Sequence, residues 1–166
     1  MGGGGGRGPD SKDLDFLESL ARRSLREGSQ PTKRNVFISF VQEDLDEVNL
    51  LRGQAKNENS KIEFNDWSLR EPFDSKKADY IKRGIRERIK QSSVTVVYLS
   101  NRTANSKWVD WEIRESIKLG KGVLGVYKGS SKPRSLPPAI NEHGIQLVPW
   151  KGQKIAEAIE SATKES

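Results

Sequence analysis

One acid interrupts the apolar face of a predicted helix. Residues 105–117 follow a strand-like run, and their pattern predicts a helix in which each residue advances about 100° around the axis. Measured from Trp108, Glu112 lies at about 40° and Ile113 at about 140°, whereas Asp110 falls on the opposite, charged side. Because burying an unpaired carboxylate is costly, we expect Glu112 either to pair with a polar or charged group of the protein or to contact a bound ligand.

Two interpretations of Glu112 follow. In the structural one, the carboxylate pairs with a nearby lysine or arginine, or reaches water at the edge of the apolar face. In the functional one, it is a lone catalytic acid in a cleft. The residue by itself leaves both open, because structural ion pairs also place acids near cores.

The composition excludes several kinds of site. The 166 residues include no cysteine and a single histidine, His143, which removes thiol nucleophiles, disulfides and most zinc sites and argues against a Ser-His-Asp triad. The 29 basic and 23 acidic residues give a net charge of +6, which suits an anionic partner. Because the sequence shows neither a membrane-spanning apolar run nor a signal-peptide core, we expect a cytoplasmic protein with no membrane partner.

The chain divides into a tail and one domain. Residues 1–34 begin with a glycine run and predict a flexible tail that could carry a short helix over 13–27. Residues 35–163 alternate strand and helix patterns five times. This alternation predicts an α/β fold, namely a flavodoxin-like, doubly wound parallel sheet of five strands in the order 2-1-3-4-5.

Such a sheet binds ligands at the carboxyl ends of its strands, where the strand order reverses. Here the reversal falls between strands one and three. Ser39 and Phe40 end strand one, a loop over 66–75 follows strand two, and the helix with Trp108 and Glu112 follows strand three. One cleft can gather all three segments, which favours the functional interpretation of Glu112.

The missing motifs narrow the chemistry of that cleft. No Gly-x-Gly-x-x-Gly follows strand one and no P-loop occurs, which argues against dinucleotide redox domains and P-loop NTPases. Strand three ends without the aspartate that a receiver domain would phosphorylate. What remains is one acid among the aromatic residues Phe40, Trp67 and Trp108.

A single carboxylate suits one kind of glycosidic bond. Ordinary glycosidases use two carboxylates, one of which protonates the leaving group. The nicotinamide of NAD+ is already cationic and departs neutral, so one glutamate could hold the ribose hydroxyls and stabilise an oxocarbenium-like transition state. Lys76, Lys77 or Arg70 could meet the pyrophosphate.

Two motifs resemble those of TIR domains. Residues 36–40, followed by Glu43 and Asp44, resemble the start of a TIR domain, and residues 106–112 resemble the Trp-x-x-x-Glu motif of catalytic members. Over about residues 35–160 the chain resembles the TIR-like proteins of bacterial Thoeris anti-phage systems. The resemblance implies that Glu112 cleaves NAD+.

The resemblance also assigns the surrounding residues. It implies that Trp108 supports the catalytic helix and that the NAD+ pocket is lined by Ser39, Phe40 and the 66–75 loop, which contains Asp66 and Trp67. Lys76, just after this loop, remains a candidate contact for the pyrophosphate. NAD+ would be the substrate, and neither a cofactor nor a metal ion is expected.

The expected activity is nicotinamide release with formation of a linear, cyclic or conjugated ADP-ribose signal. In the Thoeris setting this signal would act on a separate effector protein during anti-phage defence, and TIR surfaces could support self-association. The alternative is a non-catalytic TIR-like adaptor. A nucleic-acid-binding domain is favoured only by the net charge, because the basic residues form no stripe with interleaved aromatics.

Overall fold

A computed structural model describes residues 34–67, 72–151 and 154–165. The predicted tail and its helix over 13–27 lie outside the described residues, as does Arg70. The elements are β1 Arg34–Ser39, α1 Leu45–Glu58, β2 Ile62–Asn65, α2 Ala78–Lys90, β3 Val94–Leu99, α3 Lys107–Lys118, β4 Gly122–Tyr127, α4 Pro138–Glu142, β5 Gln146–Pro149 and α5 Lys154–Glu165. A 3-10 turn, Gln42–Asp44, precedes α1.

The five strands form one parallel sheet in the order β2-β1-β3-β4-β5. This confirms the predicted fold class and strand order. All six residues of β3 are buried, as expected for a central strand covered on both faces. Ser39 pairs with Val97 of β3, so the carboxyl ends of β1 and β3 open side by side.

Side chains alternate between the two faces of the sheet. Val36 and Ile38 of β1 join the cluster under α1 and α5, whereas Phe37 between them joins the cluster under α2. On α2 the inward residues are Ile81 and Ile85, one turn apart. Each fully buried side chain of this kind contributes about 1.5–3 kcal/mol.

Two helix ends follow local backbone chemistry. Helix α3 stops at Lys118, and Gly120 just beyond it adopts a positive φ of 77°, a conformation that commonly ends a helix. The end of the segment 129–139 belongs to α4, with Pro138 in the first turn. A five-residue helix is too short to show a period in the sequence.

Gly84 generates a stability prediction. It lies in the middle of α2, where an added Cβ would come within 2.4 and 2.6 Å of two carbons of the Trp67 indole. Alanine gains about 1 kcal/mol of helix propensity, but overpacking against a rigid ring costs typically about 1–3 kcal/mol. We expect Gly84→Ala to lower the free energy of unfolding in urea.

Gly53 is the matched control. It also lies inside a helix, α1, but an added Cβ would meet nothing within 4 Å. Gly53→Ala should therefore raise the free energy of unfolding by about 0.5–1 kcal/mol. Equal effects of the two substitutions would contradict the packing of Trp67 on Gly84.

Candidate active site

A buried hydrogen bond joins the last residue of β1 to the middle of α3. The hydroxyl of Ser39 donates to Oε1 of Glu112 at 2.5 Å, and both residues have 0% exposed surface. Glu112 thus has a hydroxyl partner from the neighbouring strand. The two residues lie 73 positions apart in the sequence, and the sheet order brings them together.

Helix α3 holds Glu112 in place through polar contacts along one side. Ser106 caps its first turn by accepting a hydrogen bond from the Val109 amide at 3.1 Å. Ser116 donates to the carbonyl oxygen of Glu112 at 2.7 Å, and its hydroxyl lies 2.8 Å from that of Thr95 on β3. The backbone at Glu112 is therefore tied to β3, while its carboxylate is tied to β1.

A cleft of about 340 Å³ opens at this end of β1, and we call it the aromatic cleft. It is lined by Phe40, Val41, Gln42, Glu43, Arg102, Asn105, Ser106 and Trp108. Phe40 follows Ser39, and Trp108 lies one turn before Glu112, so the cleft reaches the immediate neighbours of the buried pair. Glu112 itself has no exposed surface, so a substrate can contact its carboxylate only after the covering residues move.

Trp108 connects the aromatic cleft to the loop that follows β2. Its ring packs edge-on against Phe73, with centroids 4.9 Å apart, and against Trp111, with centroids 6.1 Å apart. Such aromatic pairs contribute about 0.5–1.5 kcal/mol beyond their buried area. Phe73 of the predicted loop thus lies beside one wall of the cleft.

Asp66 reaches the same region through a residue that the sequence analysis missed. The Asp66 carboxylate bonds Arg52 on α1, and the Arg52 guanidinium lies over the Phe40 ring, 5.8 Å from its centroid. Arg52 is one turn after the buried Val48, and this spacing could have identified it as a cation on the inner side of α1.

The other two predicted residues lie elsewhere. Trp67 packs in the apolar cluster of α2, and the guanidinium of Arg88 lies 5.1 Å from its ring centroid. Lys76 is exposed just before α2, and the structure gives it no contact with the aromatic cleft. Their predicted contact with NAD+ stays a prediction.

A second buried acid lies beside the aromatic cleft. Asp44 has 1% exposed surface and accepts hydrogen bonds from the Ser100 hydroxyl at 2.6 Å and from Arg102 Nη2 at 2.7 Å. The Asp44 hydrogen bond raises the pKa of Arg102, so this guanidinium stays charged. Arg102 was not singled out from the sequence, because its partner lies 58 positions away.

The described ranges contain neither a metal-type cluster nor a membrane-type helix. Within residues 34–67, 72–151 and 154–165, no group of three or more His, Cys, Asp or Glu side chains could hold a metal ion. No helix in the same part of the chain is both long and apolar enough to cross a bilayer.

Comparisons with known proteins point to one family. The profile described as "Thoeris protein ThsB, TIR-like domain" matches residues 37–133, which include both Ser39 and Glu112. A protein of Bacillus cereus (strain MSX-D12), named "Putative cyclic ADP-D-ribose synthase ThsB1", is 34% identical over 107 residues. That alignment covers 61% of this chain and 55% of the relative, so the chain spans about half the length of the curated relative it matches.

Two solved structures are distant in both sequence and shape. The CMP N-glycosidase BcmB of Clostridium botulinum is 12% identical, with a TM-score of 0.48 over 77% of this chain and 97% of that one. A 3-dehydroquinate dehydratase-like protein from Bifidobacterium longum is 11% identical, with a TM-score of 0.46 over 81% of this chain and 97% of that one. At these scores neither structure bears on the chemistry of this chain.

The Ser39–Glu112 hydrogen bond generates a first site prediction. Ser39→Ala removes a donor to a buried carboxylate and should lower the free energy of unfolding by about 1.5–3 kcal/mol, as for hydrogen bonds to charged groups. Ser116→Ala is the control, because its partners are a hydroxyl and a carbonyl, and it should cost only about 0.5–1.5 kcal/mol. Equal costs in urea unfolding would show that Ser39 does not support a charged group.

Tyr98 generates a prediction about alkaline pH. Burial, followed by the hydrogen bond to Glu47, raises the Tyr98 pKa well above its usual value. A raised folded-state pKa contributes stability that is complete below the unfolded-state value of about 10 and is lost as the pH rises beyond it. Above about pH 10, parent stability should fall more steeply than that of Tyr98→Phe, as measured by urea unfolding at several pH values. Parallel pH profiles for the two proteins would contradict the shift.

Proposed function

Because this chain belongs to the family of TIR-like domains of the Thoeris protein ThsB, we propose that it cleaves NAD+ at the bond between nicotinamide and ribose. The products are nicotinamide and an ADP-ribose species, linear or cyclic. The observation that carries this proposal is the fully buried carboxylate of Glu112, held by Ser39 at the carboxyl end of β1. The name of the Bacillus cereus relative, "Putative cyclic ADP-D-ribose synthase ThsB1", supports the same class of product.

The chemistry needs little beyond one carboxylate. When the C1′–N1 bond breaks, its electron pair moves into the pyridinium ring and nicotinamide leaves uncharged, so no proton donor is required. Positive charge then develops on the ribose. A carboxylate in an apolar, water-poor site stabilises that charge far more than it would in water. Water gives linear ADP-ribose, and a nucleophile within the substrate gives a cyclic product.

The groups around the aromatic cleft suit the rest of the dinucleotide. Phe40 and Trp108 offer aromatic surfaces for the nicotinamide ring. Arg102 bonds Asp44 through Nε and Nη2, which leaves the donors on Nη1 for a phosphate oxygen. Arg52 lies beside Phe40 and supplies a second cation. These two cations would hold the pyrophosphate.

The burial of Glu112 implies a resting state that cannot turn over substrate. The ribose reaches the carboxylate only after the residues that cover it move. A protein that stays closed until it is triggered suits a role in anti-phage signalling, in which the product acts on a separate effector. The alternative is a TIR-like adaptor that works by self-association and in which Glu112 is purely structural.

A matched pair of glutamate variants tests the proposal. Glu115 also lies on α3 with 5% exposed surface, but it accepts a hydrogen bond from Arg86 at 3.0 Å. Glu112→Gln should reduce nicotinamide release by about 100-fold or more, as for loss of one transition-state contact. Glu115→Gln should retain turnover. The assay follows nicotinamide and ADP-ribose species by liquid chromatography and mass spectrometry.

The outcomes separate the two candidate functions. Undiminished turnover by a folded Glu112→Gln protein would remove Glu112 from the reaction. If the parent releases no nicotinamide, either alone or with lysate from phage-infected cells, the adaptor becomes the better account. Thermal melting of each variant verifies that any loss of turnover occurs in folded protein.

A further inference from the structure

A second cleft lies at the carboxyl ends of β3 and β4, and we call it the basic cleft. Its volume is about 440 Å³. It is lined by Glu47, Tyr98, Leu99, Ser100, Asn101, Arg102, Lys128, Ser131, Lys132, Pro133 and Arg134. Arg102 also lines the aromatic cleft, so the two clefts share one wall residue.

The charges around the basic cleft are strongly one-sided. Four cationic side chains line it, whereas Glu47 is its only lining carboxylate and accepts the hydrogen bond from the Tyr98 hydroxyl. Within the described part of the chain, Lys128, Lys132 and Arg134 have no carboxylate partner. Like charges around one concavity repel one another, and a bound anion relieves that repulsion.

The loop that carries three of these cations is fixed at both ends. It begins at the end of β4, where Gly129 has a φ of 96° that lets the chain turn back. It ends at α4, which is held on α3 by two hydrogen bonds. The Ala139 amide donates to Asp110 at 2.8 Å, and Arg114 donates to Glu142 at 2.7 Å. The cations therefore face the cleft from an anchored loop.

We propose that the basic cleft binds the phosphate groups of a nucleotide, with pyrophosphate as the minimal ligand. Its volume lies within the usual range for small-molecule sites. It lies at the carboxyl ends of the strands, next to the position between β1 and β3 where the strand order reverses. Arginine donors match phosphate oxygens geometrically, and the hydroxyl of Ser131 can add a further donor.

The arrangement fits a small anion better than a nucleic acid. The cations converge on one concavity from two loops, whereas a nucleic acid is bound along an extended basic groove with stacking aromatics. The basic cleft shares Arg102 with the aromatic cleft but does not include Glu112, so its binding of pyrophosphate can be measured apart from NAD+ cleavage. Its ligand is either a nucleotide from outside the reaction or an ADP-ribose product, and both carry the same pyrophosphate.

Calorimetric titration tests the proposal with defined probes. Pyrophosphate and ADP-ribose are titrated into the parent protein and into Lys132→Gln/Arg134→Gln, and adenosine serves as the phosphate-free probe. The control is Arg83→Gln/Lys118→Gln, which removes the same charge from exposed positions on α2 and α3. We expect the control to bind pyrophosphate like the parent, and the cleft variant to bind it roughly tenfold more weakly.

Each outcome decides the proposal. Absence of pyrophosphate binding by the parent at millimolar concentration overturns it, and so does an equal loss in cleft and control variants. Single-stranded RNA that binds more tightly than pyrophosphate, with a steep salt dependence, overturns it in favour of a nucleic-acid partner. Pyrophosphate binding by Glu112→Gln at parental strength supports it and separates it from turnover, while ADP-ribose binding tighter than pyrophosphate identifies the product as ligand.

Discussion

The cost of burying a carboxylate governs the arrangement around α3. Glu112 has no exposed surface, so it depends on polar support from inside the protein. The Ser39 hydroxyl gives part of that support, and it reaches Glu112 because the sheet places β1 beside β3, over which α3 packs. Two further polar side chains, Thr95 and Ser116, interrupt apolar elements near this point and are hydrogen-bonded to each other. The fold thus accepts polar groups in its core where the proposed chemistry needs them.

Acidic and basic side chains occupy different positions at the carboxyl ends of the strands. The acids Asp44 and Asp66 lie inward and are bonded to Arg102 and Arg52. Those arginines lie beside the aromatic cleft, and the cations of the 128–134 loop face the basic cleft. These acids fix the positions of the two arginines, whereas the loop cations give this end of the sheet its excess of positive charge.

The sequence specified the repeating parts of the fold and only some of the site. Strand and helix alternation was enough to predict the sheet order, and the 3.6-residue period placed Glu112 on the inner side of α3. The hydrogen bond between Glu112 and Ser39 could not be predicted, because it depends on the position of α3 relative to the end of β1. The Asp66–Arg52 ion pair likewise depends on how closely α1 approaches the segment after β2. Helix α4 has only five residues, which is too short to show a helical period in the sequence.

The docking of α4 on α3 has a consequence for how the two clefts communicate. Asp110 and Arg114 hold α4, which ends the loop of the basic cleft, and they flank Glu112 on the same helix. A displacement of α3 that uncovers Glu112 would either break these hydrogen bonds to α4 or move the loop together with α3. By thermodynamic linkage, a ligand that fixes the loop changes the free energy of opening, and opening changes the affinity for that ligand by the same factor. Helix α3 thus connects the proposed catalytic carboxylate to the loop that lines the basic cleft.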